Sequence, residues 1–171
     1  MDPTAFITLA IACAPQVSPT TASALVATES AFNPWAIGVV GGALLRQPRG
    51  RAEALSTARA LRAGGWNFSV GLGQINSGNF SRLGLSLDEA FEPCTNLRAM
   101  QTILADCQVR ASVRASPGLA EQTVLRMALS CYYSGDFSTG FSHGYVRKVA
   151  AAAAASHHNR PSPTAQPQEL P

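Results

Sequence analysis

Glu29 is the residue of this sequence best placed to move a proton. Ala22, Leu25, Val26 and Glu29 fall at i, i+3, i+4 and i+7, the spacing of one face of a helix. A carboxyl in line with an apolar stripe is costly to ionise. Desolvation raises its pKa, and the negative end of the helix dipole adds to the rise. Such a group stays protonated near neutral pH and can donate to a departing oxygen. Acid-assisted cleavage of a glycosidic bond requires that property. The competing reading is plain: a glutamate at a helix end usually turns into water.

The elements that must hold Glu29 can be read on either side of it. A first helix is predicted over 3–13, stopping before Pro15, with Phe6, Ile7, Leu9, Ala10 and Cys13 as its packed residues. Ser18 or Thr20 caps a second helix that has Pro19 in its first turn and runs to about Ala31, because Pro34 forbids continuation. Gly41-Gly42 between the apolar runs 37–40 and 43–45 reads as a small β-hairpin. Arg51 to Ala63 is a helix ended by Gly64-Gly65. A short helix spans about 77–83, and Ser86 with Glu89 forms a capping box for another. Longer helices follow at about 95–114, with Leu97, Met100, Ile103, Leu104 and Cys107 on its apolar face, at 121–133, and at 143–155. From Ser156 onward the pattern is polar and lacks apolar periodicity, which reads as a tail or linker stub over 156–171. The fold class is therefore mainly α with a small β-hairpin, one domain over 1–155.

Composition narrows the function classes. With 171 residues, 46% of them hydrophobic and 13% charged, the chain suits one well-buried helical domain. The net charge of +3 comes from dispersed basic residues, which excludes a dedicated nucleic-acid binder. Cys13, Cys94, Cys107 and Cys131 form no CxxC pair and find no histidines at ligand spacing, so neither a zinc site nor any other cofactor is expected. Their even number fits disulfides in an oxidising compartment as well as buried thiols, and the pairing stays open. No stretch is long enough to span a bilayer. The apolar residues 5–14 follow Asp2 rather than basic residues, so they read as a core helix and not as a signal peptide.

Two further clusters share the chain with the Glu29-Ser30-Ala31-Phe32-Asn33-Pro34-Trp35-Ala36-Ile37 segment. One is Gly71-Leu72-Gly73-Gln74-Ile75-Asn76. The other is Ala128-Leu129-Ser130-Cys131-Tyr132-Tyr133-Ser134-Gly135. Their order resembles the lysozyme-like lytic transglycosylases of the SLT domain family, whose motifs run E-S-x-F-N-P-x-A, G-L-M-Q-I-N and A-x-x-x-Y-N-x-G. Phe91 to Leu97 and Gly144-Tyr145-Val146-Arg147-Lys148-Val149 look most like the VirB1 branch, which serves type IV secretion and conjugation. The resemblance covers roughly 3–149. It implies an α+β lysozyme-like fold with a substrate groove, peptidoglycan glycan strands as substrate, secretion-channel subunits as partners and a periplasmic location.

The resemblance also implies roles. Glu29 matches the single catalytic acid/base and Ser30 the serine beside it. Gly71, Gln74, Ile75 and Asn76 match the loop that lines the groove. Tyr132 matches the motif tyrosine, whose hydroxyl can reach the catalytic carboxyl, and Tyr133 stands next to it on the substrate side. Plainer roles compete: a turn for Gly71, a cap for Asn76, a satisfied core phenol for Tyr132. Two positions depart from the family. Gly73 replaces the usual Met, which reads as lost bulk in the groove wall, and Tyr133 replaces the usual Asn. The implied reaction cleaves the MurNAc–GlcNAc β-1,4 bond and leaves a 1,6-anhydroMurNAc end. A hydrolytic lysozyme generally needs a second carboxylate across the groove. Asp88, Glu89, Glu92 and Asp136 are the candidates, and Asp136, just after the tyrosine motif, is the strongest. A non-catalytic peptidoglycan-binding adaptor, with Glu29 merely packed, is a third reading.

Overall fold

The computed structural model describes residues 1–116 and 118–158. Helix α1 (Pro3–Cys13) begins at Asp2, whose carboxylate accepts from the Ala5 amide, and leads to α2 (Pro19–Ser30), capped by Ser18 with Pro19 in its first turn. A three-stranded antiparallel sheet follows in pieces: β1 (Ile37–Val39), then α3 (Arg51–Ala63), then β2 (Phe68–Val70) and β3 (Ile75–Asn76). A 3-10 turn (Ser77–Asn79) runs into α4 (Phe80–Leu83), and α5 (Leu87–Ala90) carries the expected Ser86–Glu89 capping box. Helices α6 (Pro93–Arg114), α7 (Glu121–Ser134), α8 (Thr139–Ser142) and α9 (Tyr145–His158) complete the order. No helix of the described residues is long and apolar enough to cross a membrane.

Helix α2 is buried along its length because α9 packs on one side of it and α1 on another. Helix α6 lies along α7, and α1 packs on α6. Both contacts are covalently fixed. Cys13–Cys94 ties α1 to α6, and Cys107–Cys131 ties α6 to α7, leaving no free cysteine. Within α1 the inward face is Phe6, Ala10 and Cys13, while Ile7 is exposed.

The expected hairpin over 37–45 does not form. β1 pairs instead with β2, with Ile37 opposite Val70 and Val39 opposite Phe68. The other edge of β1 is satisfied by one side chain. Gln47 Oε1 accepts from the Ile37 amide at 2.8 Å and Gln47 Nε2 donates to the Ile37 carbonyl at 2.9 Å. A primary amide offers the same donor and acceptor as a peptide unit, so it replaces a strand partner. The sheet alternates as a pleat must. Ile37, Phe68, Val70 and Ile75 enter the core, while the cross-strand row Gly38, Ser69, Asn76 faces the opposite way.

The last helix extends past the expected limit. The alanine run carries α9 through Ser156 to His158, as alanine's helix propensity favours. The rest of the segment read as a polar tail, 159–171, lies outside the described residues.

Candidate active site

Glu29 sits in the last turn of α2, partly buried, and lines a cleft of about 520 Å³. The helix stops there because Ala31 and Phe32 both take left-handed backbone, with φ of 49° and 60°. That conformation is costly for residues other than glycine. Two anchors hold it: the Phe32 ring packs edge-on against Phe6 at 5.1 Å, and its carbonyl accepts from the Met1 ammonium at 2.7 Å. Burial pushes the Glu29 carboxyl up to about 7. The Tyr145 hydroxyl donates to Glu29 Oε1 and pulls the value back, because it favours the ionised form. Glu29 can thus be protonated or ionised near neutral pH, as a group that acts as acid and then base must be.

The tyrosine that bonds Glu29 is not the motif tyrosine. Tyr145 reaches it from the first turn of α9, and is itself buried. Tyr132 donates instead to the Gly73 carbonyl at 2.5 Å. Its phenol is held well above the ordinary tyrosine range by burial and by the nearby Glu29 charge, so it stays a neutral donor. Tyr133 is exposed, lines the cleft, and stacks on Tyr145 with centroids 4.6 Å apart and planes 19° apart.

The loop between β2 and β3 forms one wall, and its parts divide into support and lining. Asn96 of α6, fully buried, holds the loop from behind. Its Oδ1 accepts from the Gly73 amide at 2.8 Å, while its Nδ2 donates to the carbonyls of Val70 at 3.0 Å and Ala90 at 2.7 Å. Gly71 has φ of +78°, and a Cβ there would lie 2.2 Å from Asn96 Nδ2. Gly71 therefore serves the turn and the close approach, not the cleft. Gly73 does not widen the groove as expected. A Cβ on it would stand 3.0 Å from Met100 Cβ and 3.1 Å from the Tyr132 hydroxyl, so the space is already filled from α6 and α7. Ile75 is a core residue beneath the sheet.

Gln74 lines the cleft from left-handed backbone, φ 47°. Its Nε2 is used internally, donating to the carbonyls of Gly71 at 2.9 Å and Ala36 at 3.1 Å. Asn76 also lines the cleft. Its Nδ2 donates to Asn67 Oδ1 at 2.7 Å, and its Oδ1 caps the following 3-10 turn. Ser30 is buried and bonds back to the Val26 carbonyl at 3.2 Å, so its hydroxyl serves α2 rather than the cleft. Asn67, Ser69 and Asn79, which no motif singled out, join Gln74 and Asn76 to give this wall a run of neutral polar groups. Val39, Val40 and Ile103 add apolar surface.

Glu29 is the one carboxylate among the described residues that line the cleft. The other candidates are occupied elsewhere. Asp136 accepts from the Ser138 and Thr139 amides and from both of their hydroxyls. Those bonds hold its carboxyl well below the usual range, so it is a committed loop cap. Asp88 and Glu92 pair with arginines from α3, Asp88 with Arg59 at 3.1 Å and Glu92 with Arg51 at 2.9 Å. Glu89 closes the capping box with Ser86.

The sequence model of the transglycosylase SLT domain family matches residues 7–154. The type IV secretion system protein virB1 of Brucella abortus is 51% identical over 153 residues, covering 86% of this chain and 63% of that protein. Protein virB1 of Agrobacterium fabrum is 40% identical over 143 residues, covering 82% of this chain and 56% of its own length. The chain thus spans less than two thirds of the length of these relatives. No solved structure matches. The family match runs from α1 into α9 and takes in Glu29, the loop clamped by Asn96, and the tyrosines of α7 and α9: the chain belongs to the transglycosylase SLT domain family.

Proposed function

We propose that this chain is the catalytic domain of a peptidoglycan lytic transglycosylase that opens the cell wall locally for a type IV secretion system. The observation that carries the reading is a single carboxyl, Glu29, raised to about 7 in a cleft with no second carboxylate among its described lining residues. Tyr145 donates to Oε1, which leaves the acidic proton on Oε2. Neutral Glu29 gives that proton to the glycosidic oxygen as the bond to the MurNAc C1 breaks. Positive charge develops at C1, and the N-acetyl carbonyl of the same sugar can shield it. Ionised Glu29 then takes the proton of the MurNAc C6 hydroxyl, whose oxygen attacks C1 and closes the 1,6-anhydro ring. One carboxyl serves both steps. The nucleophile belongs to the substrate and gains from proximity, so no water has to be activated.

Gln74, Asn76 and the neutral polar wall are the groups offered to the sugar's hydroxyl and N-acetyl groups, with Tyr133 contributed to the lining from α7. The secretion role rests on the virB1 relatives, and the periplasm follows from where peptidoglycan lies. Mass spectrometry of digested peptidoglycan tests the reaction. Products ending in 1,6-anhydroMurNAc are expected; reducing MurNAc alone would make the enzyme a hydrolase. Glu29→Gln should lower turnover by about 10³-fold or more, the scale of a lost general acid. Wild-type lysis by that variant would show that Glu29 is not the acid.

A further inference from the structure

Where the family's motif carries Asn, this chain has Tyr133, and three contacts surround it. Its ring lies flat against Tyr145, 4.6 Å between centroids. Its hydroxyl lies 3.3 Å from His143 Nδ1, and the His143 ring meets it edge-on at 5.9 Å. His143 and Tyr145 flank Gly144, whose φ of +73° turns the chain between them. One tight turn therefore presents an imidazole to the tip of Tyr133 and a phenol to its face. The turn itself is pinned to α7. Ser130 Oγ donates to the Asp136 carbonyl at 3.0 Å and accepts from the Gly140 amide at 2.9 Å. Gly140 approaches so closely that a Cβ there would stand 2.6 Å from Ser130 Cα.

We infer that Tyr133 is a positioning residue for Glu29: held at its hydroxyl by His143, its ring fixes the Tyr145 phenol in the plane from which the hydroxyl donates to Glu29 Oε1. The role of Tyr133 is thus indirect, acting through Tyr145 rather than only on sugar. Tyr145 enters at the start of α9, where its backbone is not yet held on both sides by helix bonds, so its ring needs lateral support. A stacked aromatic pair supplies such support, with a preferred offset geometry. The shorter asparagine has no ring face to offer.

The inference rests on Glu29 being the acid of the proposed reaction, but its test does not. The ionisation midpoint of Glu29 is read by NMR on protein carrying a carboxyl-labelled glutamate, without substrate. The titratable groups facing Glu29 are Tyr145 from α9 and Tyr132 from α7, with Tyr133 and His143 behind Tyr145. Tyr145→Phe removes the donated bond and raises the midpoint, by about one pH unit for a charge-assisted bond of ordinary strength. Tyr133→Ala is expected to raise it in the same direction, and to add nothing on top of Tyr145→Phe. Tyr133→Phe, which keeps the stack and loses only the His143 contact, is expected to shift the midpoint less than Tyr133→Ala. A wild-type midpoint in Tyr133→Ala, or additive shifts in the double variant, overturns the inference. If Tyr133→Ala unfolds, Tyr133→Leu and Tyr133→Asn carry the same test at smaller volume change. The sugar products decide the transglycosylase reading separately, since they do not enter this titration.

Discussion

Replacing Glu29 by glutamine makes the fold less sensitive to alkali, and the size of the effect can be worked out in advance. The Glu29 carboxyl titrates at about 7 in the folded chain against 4.5 when unperturbed. A raised acid binds its proton more tightly in the folded state. Its burial therefore costs nothing below the unfolded value, and the cost grows as pH climbs from 4.5 through about 7. At about 1.4 kcal/mol per unit, the full penalty is about 3 kcal/mol. The glutamine side chain has the shape of the neutral acid and keeps an oxygen for the Tyr145 hydroxyl, but never ionises. The stability of Glu29→Gln relative to wild type should therefore rise by about 3 kcal/mol between about pH 4 and about pH 8. For a chain of this size that is a gain of roughly 6–12 °C in relative Tm. Urea unfolding of both proteins across the range measures it, and every other titrating group cancels in the difference. A gap that stays constant with pH would refute the reasoning, because Glu29 would then be as well solvated folded as unfolded.

Other outcomes follow from the same structure. The alkaline limb of kcat/KM should fall about tenfold per unit above about pH 7, as the acid form of Glu29 is lost; an activity that stays level to about pH 9 would oppose that assignment. Asn96→Ala leaves the Gly73 amide and the Val70 and Ala90 carbonyls without their buried partner. Chemical denaturation should show a loss of about 3–5 kcal/mol, and residual folded protein should be less active because the cleft wall is freed. Removing Cys13–Cys94, with a sequence separation of 81, should cost about 4 kcal/mol, and removing Cys107–Cys131, with a separation of 24, about 3 kcal/mol. Paired Cys→Ser variants compared by urea midpoint give both values and their order.

The parts of the site that sequence made legible were those carried by local pattern. Glu29 stood out because its register with Ala22, Leu25 and Val26 is a property of α2 alone. The α3 boundaries and the Ser86–Glu89 box were equally local. Non-local pairings were not legible. Gly41-Gly42 looked like a hairpin turn, but the partner of β1 lies beyond α3, and Gln47 completes the edge that a hairpin strand would have taken. Periodicity describes faces and says nothing about which distant segment meets them. Asn96 gave no signal beyond its place near the expected start of a helix, between Thr95 and Leu97. Gly71 and Gly73 were visible as glycines, but the atoms that exclude a side chain at each belong to α6 and α7. Tyr145 was legible as part of a terminal motif, yet its reach to Glu29 depends on how α9 packs against α2.

The Gly73 peptide, gripped at its amide by Asn96 and at its carbonyl by Tyr132, has a consequence for the motions open to the cleft. A short loop at a cleft wall would ordinarily exchange its amide hydrogens within seconds, through small local openings. Here the Gly73 amide can exchange only when α6 and α7 release the loop together, so its rate should track global unfolding. The β2–β3 wall then behaves as an extension of the core. Any breathing that admits a glycan strand is left to the segment 40–50, which forms no strand of its own and is tied to β1 through Gln47.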